Sequence, residues 1–116
     1  MEVAPLDIAR TIINKLEDMK GENILLMDIQ NISSFADFFI ICSGTSDRML
    51  TGLAQSVRES AKESYSIIAA IEGQPIDGWL VVDLGDVVVH LFSPEQREYY
   101  NLEELWEHGK VLLRLQ

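Results

Sequence analysis

Between Leu6 and Met19 the apolar positions Leu6, Ala9, Ile12, Ile13, Leu16 and Met19 recur at helical spacing, which predicts an amphipathic helix. Pro5 is tolerated in its first turn, and Lys20-Gly21 supplies a stop. The period then changes. Residues 23–30 (NILLMDIQ) form a short apolar run of strand length, broken by the polar Asn31-Ile-Ser-Ser, and residues 36–43 (ADFFIICS) are a continuous aromatic-rich run. The second run has the pattern of a strand buried on both faces. Gly44-Thr45-Ser46 leads into a second helix reaching about Glu63, with Met49, Leu50, Leu53, Val57 and Ala61 on its inner face. Ser46 is the expected N-cap and Asp47 suits the positive end of the helix dipole.

A third strand is predicted over 66–72 (SIIAAIE), followed by a loop from Gly73 to Gly78. Residues 78–92, GWLVVDLGDVVVHLF, then alternate as two paired strands. Ser93-Pro94-Glu95-Gln96 has the cap, proline and glutamine spacing of a helix start, and Asn101-Leu-Glu-Glu104 repeats a cap pattern before Leu105 and Trp106. Helix, two strands, helix, three strands and short helices predict an α/β fold: a single domain over 1–116 with a mixed sheet of about five strands flanked by helices.

In the ribbon, a tight turn at Leu84-Gly85 sets Val82 against Val87 and Leu80 against Val89, an aliphatic face that must be core. The other face sets Val81 against Val88, Trp79 against His90 and Asp83 against Asp86. Opposed aspartates destabilise a hairpin, and leucine suits a type I′ turn poorly. The expectation is therefore a wider DLGD turn with Gly85 at positive φ. Trp79 has two readings: packed beneath a helix, or an aromatic anchor within an acidic rim, since tryptophan and tyrosine dominate binding hot spots.

Charge narrows the partners. The formal net charge is −10, which repels a phosphate backbone and suits a basic protein. With 47% hydrophobic residues and only three prolines the chain is globular rather than disordered. A lone cysteine, Cys42, excludes an intrachain disulfide and fits a reducing compartment. The N-terminus lacks a leader's basic and apolar regions, and no apolar run nears the ~18–20 residues of a membrane span. A soluble, cytoplasmic protein is expected.

Candidate chemistry is sparse. Cys42 with His90 and an aspartate could form a nucleophilic set, although cysteine within FFIICS more often packs as a small hydrophobe. Gly44-Thr45-Ser46 could hold an anion but lacks the length and lysine of a phosphate-binding loop. Asp83 and Asp86 could hold a divalent metal, but no third carboxylate is obviously placed. Two histidines and one cysteine argue against zinc. No cofactor is implied. The acidic, aromatic segment EQREYYNLEELWEHG reads either as a helix laying Tyr99, Leu102, Leu105 and Trp106 on the core, or as an extension of the acidic face.

Three blocks in order, ADFFIICSGTSDR, GWLVVDLGDVVVHLF and the REYYNLEELW ending, closely resemble the ribosomal silencing factor, or Iojap-like, family. The resemblance runs from about Leu6 to Trp106. It implies a nucleotidyltransferase-like fold without the catalytic carboxylate set. It also implies binding to the L-fourteen protein of the large ribosomal subunit, which blocks joining to the small subunit and damps translation when nutrients are scarce. Positions matching the family's blocks, Trp79, Asp83, Asp86, His90, Arg97, Tyr99 and Tyr100, would be the partner-binding residues, with no direct nucleic-acid recognition. The free protein could pair as a homodimer. Leu84 stands where many relatives carry tyrosine, and nothing is assigned to the 107–116 tail. The competing reading is a divergent nucleotidyltransferase using Asp83 and Asp86 with a metal ion.

Overall fold

A computed structural model describes residues 3–116. The order is α1 (Pro5–Asp18), β1 (Glu22–Asp28), β2 (Phe38–Ser43), α2 (Asp47–Tyr65), β3 (Ile71–Gln74), a 3-10 turn (Pro75–Asp77), β4 (Trp79–Asp83), β5 (Val87–Phe92), α3 (Pro94–Tyr100), α4 (Leu102–Leu105) and β6 (Lys110–Leu115). One mixed sheet runs β3-β4-β5-β2-β1-β6. Among the described residues only β2 and β5 pair in parallel.

The two long helices form as their sequences dictate. Ser46 Oγ accepts the Met49 N–H at 3.0 Å to cap α2, and Leu50, Leu53, Ala54, Val57 and Ala61 are its buried stripe. α1 buries Ile8, Ala9, Ile12, Ile13 and Leu16. Its stop divides the work between two residues. Lys20 takes the left-handed conformation (φ 64), while the N–H groups of Lys20 and Gly21 return to the carbonyls of Glu17 and Leu16 at 2.9 and 2.8 Å, a Schellman closure. Gly21 is needed for space: a Cβ there would lie 2.5 Å from Cys42 Sγ.

Period-two alternation gives the sheet two different faces. Ile24, Leu26, Phe38, Ile40, Cys42, Leu80, Val82, Val87, Val89 and Leu91 join the α1 and α2 stripes in one core. On the opposite face Leu25, Met27, Phe39, Ile41, Val88 and Phe92 form a second cluster with Leu102, against which Trp79, Val81 and Trp106 pack.

Several expectations need correction. The sheet has six strands rather than about five, because residues within the unassigned 107–116 tail pair with β1 as β6. The third strand is shorter than 66–72. α2 runs on to Tyr65, ends at Ser66 with φ 57, and leaves only Ile71–Gln74 extended. The β4–β5 register is displaced by two residues: Trp79 lies opposite Phe92, Val81 opposite His90 and Asp83 opposite Val88. A two-residue shift preserves which face each side chain occupies, so the aliphatic face stands while the aspartate pair does not. The Leu84 N–H bonds the Val87 carbonyl at 2.9 Å, making Gly85-Asp86 a two-residue turn. Gly85 does take positive φ (92), at the position where a type II′ turn places glycine.

Gly21→Ala should destabilise the fold by about 1–3 kcal/mol through overpacking against Cys42. In a Cys42→Ala background the penalty should shrink markedly. Chemical denaturation of the two single variants and the double variant measures that coupling.

Candidate functional site

The face away from α1 and α2 is aromatic. Trp79 stacks on Phe92 with ring centroids 4.9 Å apart and meets Tyr100 at 4.6 Å. Phe39 contacts His90 edge-on at 4.7 Å and Trp106 at 5.3 Å. Phe35 closes the other end, 5.9 Å from Trp106, and is 60% exposed. Trp79 thus lies off the helix-covered core, as its strand position requires, but it is half-buried among rings. The face is already a packed surface before any partner arrives.

His90 sits at the centre of this face and is buried. The Trp79 indole N–H donates to His90 Nδ1 at 3.2 Å, so the neutral ring carries its proton on Nε2. That Nε2 is buried with no partner among the described residues. Burial pushes the pKa down to about 4, since charging the ring would place a cation among apolar rings.

The other site residues divide by exposure. Tyr99 is 77% and Tyr100 46% exposed, so Tyr99 and the equally outward Leu105 do not lie on the core, whereas Leu102 does. Arg97 turns inward. Its guanidinium donates to Glu103 at 2.7 Å, the Asn23 carbonyl at 2.6 Å and Ser43 Oγ at 2.9 Å. It therefore braces α3 against the ends of β1 and β2, and so sets where the two tyrosines stand.

The aspartates gather at one end of the sheet. Strand register brings Asp28 beside Phe38, Phe38 beside Val87 and Val88 beside Asp83, while the Asp37 N–H bonds the Asp86 carbonyl at 2.8 Å. Asp83, Asp86, Asp37 and Asp28 therefore form a row across four neighbouring strands. Asp83 Oδ1 accepts the Gly85 N–H at 2.8 Å, an Asx-type contact that holds the turn. Leu84 is buried in the helix-side core. It thus lies on the side away from the aromatic face.

The catalytic constellations do not assemble. Cys42 faces α1 and α2 while His90 faces away, and burial pushes the thiol up to about 12. Ser46 caps α2. Among the described residues no three His, Cys, Asp or Glu side chains group to hold a metal, and no helix is long and apolar enough to cross a membrane.

The partner-binding residues expected from the sequence do not include Phe35, Phe39, Phe92, Trp106, Asp28 or Asp37. Alternation within FFIICS and VVVHLF could have flagged Phe39 and Phe92, which share the His90 face. Phe35 and the Asp28–Asp37 juxtaposition depend on how the loop between β1 and β2 folds back.

A mixed sheet with the two long helices on one face and a half-open aromatic face on the other defines a single small α/β domain. Residues 3–115 match the family model described as "Ribosomal silencing factor during starvation". The chain is 43% identical over 90 residues to "Ribosomal silencing factor RsfS" of Bacillus subtilis, covering 78% of this chain and 76% of that one. It is 34% identical to "Mitochondrial assembly of ribosomal large subunit protein 1" of Mus musculus, covering 82% of this chain and 43% of that one. A crystal structure from Chromobacterium violaceum superposes with a TM-score of 0.84 at 37% identity, over 92% of this chain and 88% of that one. The chain belongs to the ribosomal silencing factor family.

The histidine gives a pH signature. Its folded pKa of about 4 lies below the 6.5 of an unconstrained histidine, so the unfolded chain takes up a proton first as pH falls. Stability present above pH 6.5 should decline between 6.5 and 4, by roughly 3 kcal/mol in all from this group. His90→Phe should lose that histidine-dependent decline, with its stability flat between pH 6.5 and 4 as far as this group is concerned; it removes the buried unpaired Nε2 donor and, against that, the acceptor of the Trp79 indole N–H. Urea melts of both proteins across this range check it.

Proposed function

We propose that this protein is an anti-association factor that binds the large ribosomal subunit through its L-fourteen protein and sterically prevents joining of the small subunit, lowering translation. The observation that supports it best is the aromatic face around Trp79, Phe92 and Tyr100, ending in the row Asp83, Asp86, Asp37 and Asp28. Proteins on the ribosome surface are basic because their neighbour is RNA. An acidic, aromatic surface matches them, while a net charge of −10 repels the RNA itself. The name of the mouse relative ties that protein to the large ribosomal subunit, and the resemblance of the sequence blocks supplies the L-fourteen protein and the joining step.

The mechanism needs no bond making. A domain with a radius of gyration of 12.9 Å lying on the surface that the small subunit must meet excludes it by volume. Half-buried, pre-stacked rings lose little conformational freedom on docking. A solvent-reachable aromatic anchor of this kind contributes about 2 kcal/mol or more, roughly thirtyfold in affinity. The acidic row adds mainly to encounter rate and orientation, so its contribution weakens with salt.

The protein should pellet with purified large subunits and not with small ones, and should inhibit their association at saturating concentration; unimpaired joining would sink the proposal. Asp83→Lys combined with Asp86→Lys should lower large-subunit affinity about tenfold or more at low salt. Loss of the Asp83–Gly85 contact should cost only about 1 kcal/mol of stability. Circular dichroism melts together with a sedimentation titration separate the two effects.

A further inference from the structure

An open cleft of about 520 Å³ lies beside Trp79, where β3 turns into β4; Gly73, Gln74, Asp77, Trp79, Gln96 and Tyr100 are among its walls. One wall is aromatic. Phe92 and Tyr100 lie 4.9 and 4.6 Å from the Trp79 ring but only 6.3 Å from each other. They flank the indole from directions roughly at right angles, and do not sandwich it. No aromatic ring among the described residues covers the indole face opposite Phe92, and the half-buried Trp79 lines the cleft. The other wall is polar: the exposed carboxylate of Asp77 with the side-chain amides of Gln74 and Gln96. Among the described residues Asp77 makes no ion pair or side-chain hydrogen bond, and no lysine or arginine lines the cleft. Gly73 is among its walls at φ 97, where it tolerates no side chain, because a Cβ there would strike the Trp79 carbonyl oxygen.

We propose that this cleft is a guanidinium site that holds an arginine side chain of the partner. A planar cation stacks on an indole face and pairs two parallel N–H groups with a carboxylate. Its remaining donors reach the glutamine carbonyl oxygens, which accept them. An ammonium is a compact, strongly hydrated charge and cannot match the flat wall. A phosphate or carboxylate would meet Asp77 with like charge. The identity of the arginine's owner as a ribosomal protein rests on the function proposed above; the affinity of the cleft for guanidinium does not.

The test titrates isotopically labelled protein with the blocked peptide acetyl-Gly-Arg-Gly-amide and its lysine and glutamine counterparts at low salt. Nuclear magnetic resonance follows the Trp79 indole N–H and the Gly73 and Asp77 amides. Saturable shifts at these groups are expected with the arginine peptide. They should be several-fold weaker with lysine, absent with glutamine, and lost in Asp77→Asn, whose exposed position spares the fold. No saturable shift, equal response to all three peptides, or undiminished shifts in Asp77→Asn would overturn the site. The same variant is then sedimented with large subunits, where weakened binding supports the ribosomal arginine. Wild-type binding by Asp77→Asn removes the ribosomal arginine from the cleft, whereas failure of the parent protein to bind subunits sinks the functional reading and leaves the peptide result standing.

Discussion

β2 and β5 lie side by side at the centre of the sheet, running parallel, with all twelve of their residues buried. A parallel pair cannot be closed by a hairpin and needs a crossover. Here the crossover carries α2, β3 and β4, and α2 packs with α1 on the same side of the sheet. That face is fully dressed by helices. The opposite face of the same two strands receives only the short α3 and α4 with the Phe35 loop, so its side chains must complete the burial themselves. Large rings at Phe39, His90 and Phe92 do so.

This asymmetry joins stability to the proposed docking function. The central strands need their second face covered, and covering it with rings that stack on one another leaves the outer members half-exposed. Trp79 is held by Phe92 beneath and by its hydrogen bond to His90. Arg97 fixes α3, and with it Tyr100, by tying three separate segments together. A surface ordered in this way before contact has little entropy left to lose on docking. The unpaired Nε2 of His90 is the counterpart: a buried donor without a partner is unfavourable, and it sits beside the half-exposed Trp79 ring.

The acidic row has a different origin. Its four aspartates come from two separate stretches of chain, Asp28 with Asp37 and Asp83 with Asp86, yet each lies at or beside the start or end of a central strand, at the same end of the sheet. Strand ends are where turns need aspartate, as Asp83 shows by accepting the Gly85 N–H. Turn chemistry and surface charge therefore coincide, and the opposed-aspartate repulsion expected in the hairpin does not arise, because Asp83 faces Val88.

The sequence alone determined the two long helices, the buried central strands, the α/β class, the family, and which face of the β4–β5 ribbon is aliphatic. Each of these follows from periodicity or from short contiguous blocks. The hairpin register escaped it because a shift of two residues leaves every side chain on the same face, so the hydrophobic pattern reads alike in both registers. β6 escaped although Val111, Leu112, Leu113 and Leu115 make an apolar run of strand length, because what makes it a strand is its pairing with the distant β1. Arg97, expected among the partner-binding residues, turns inward instead, because its three acceptors come from Asn23, Ser43 and Glu103, which only the folded chain brings together. The Asp77 cleft and the buried, unpaired nitrogen of His90 are likewise products of packing between distant segments, and no local pattern encodes them.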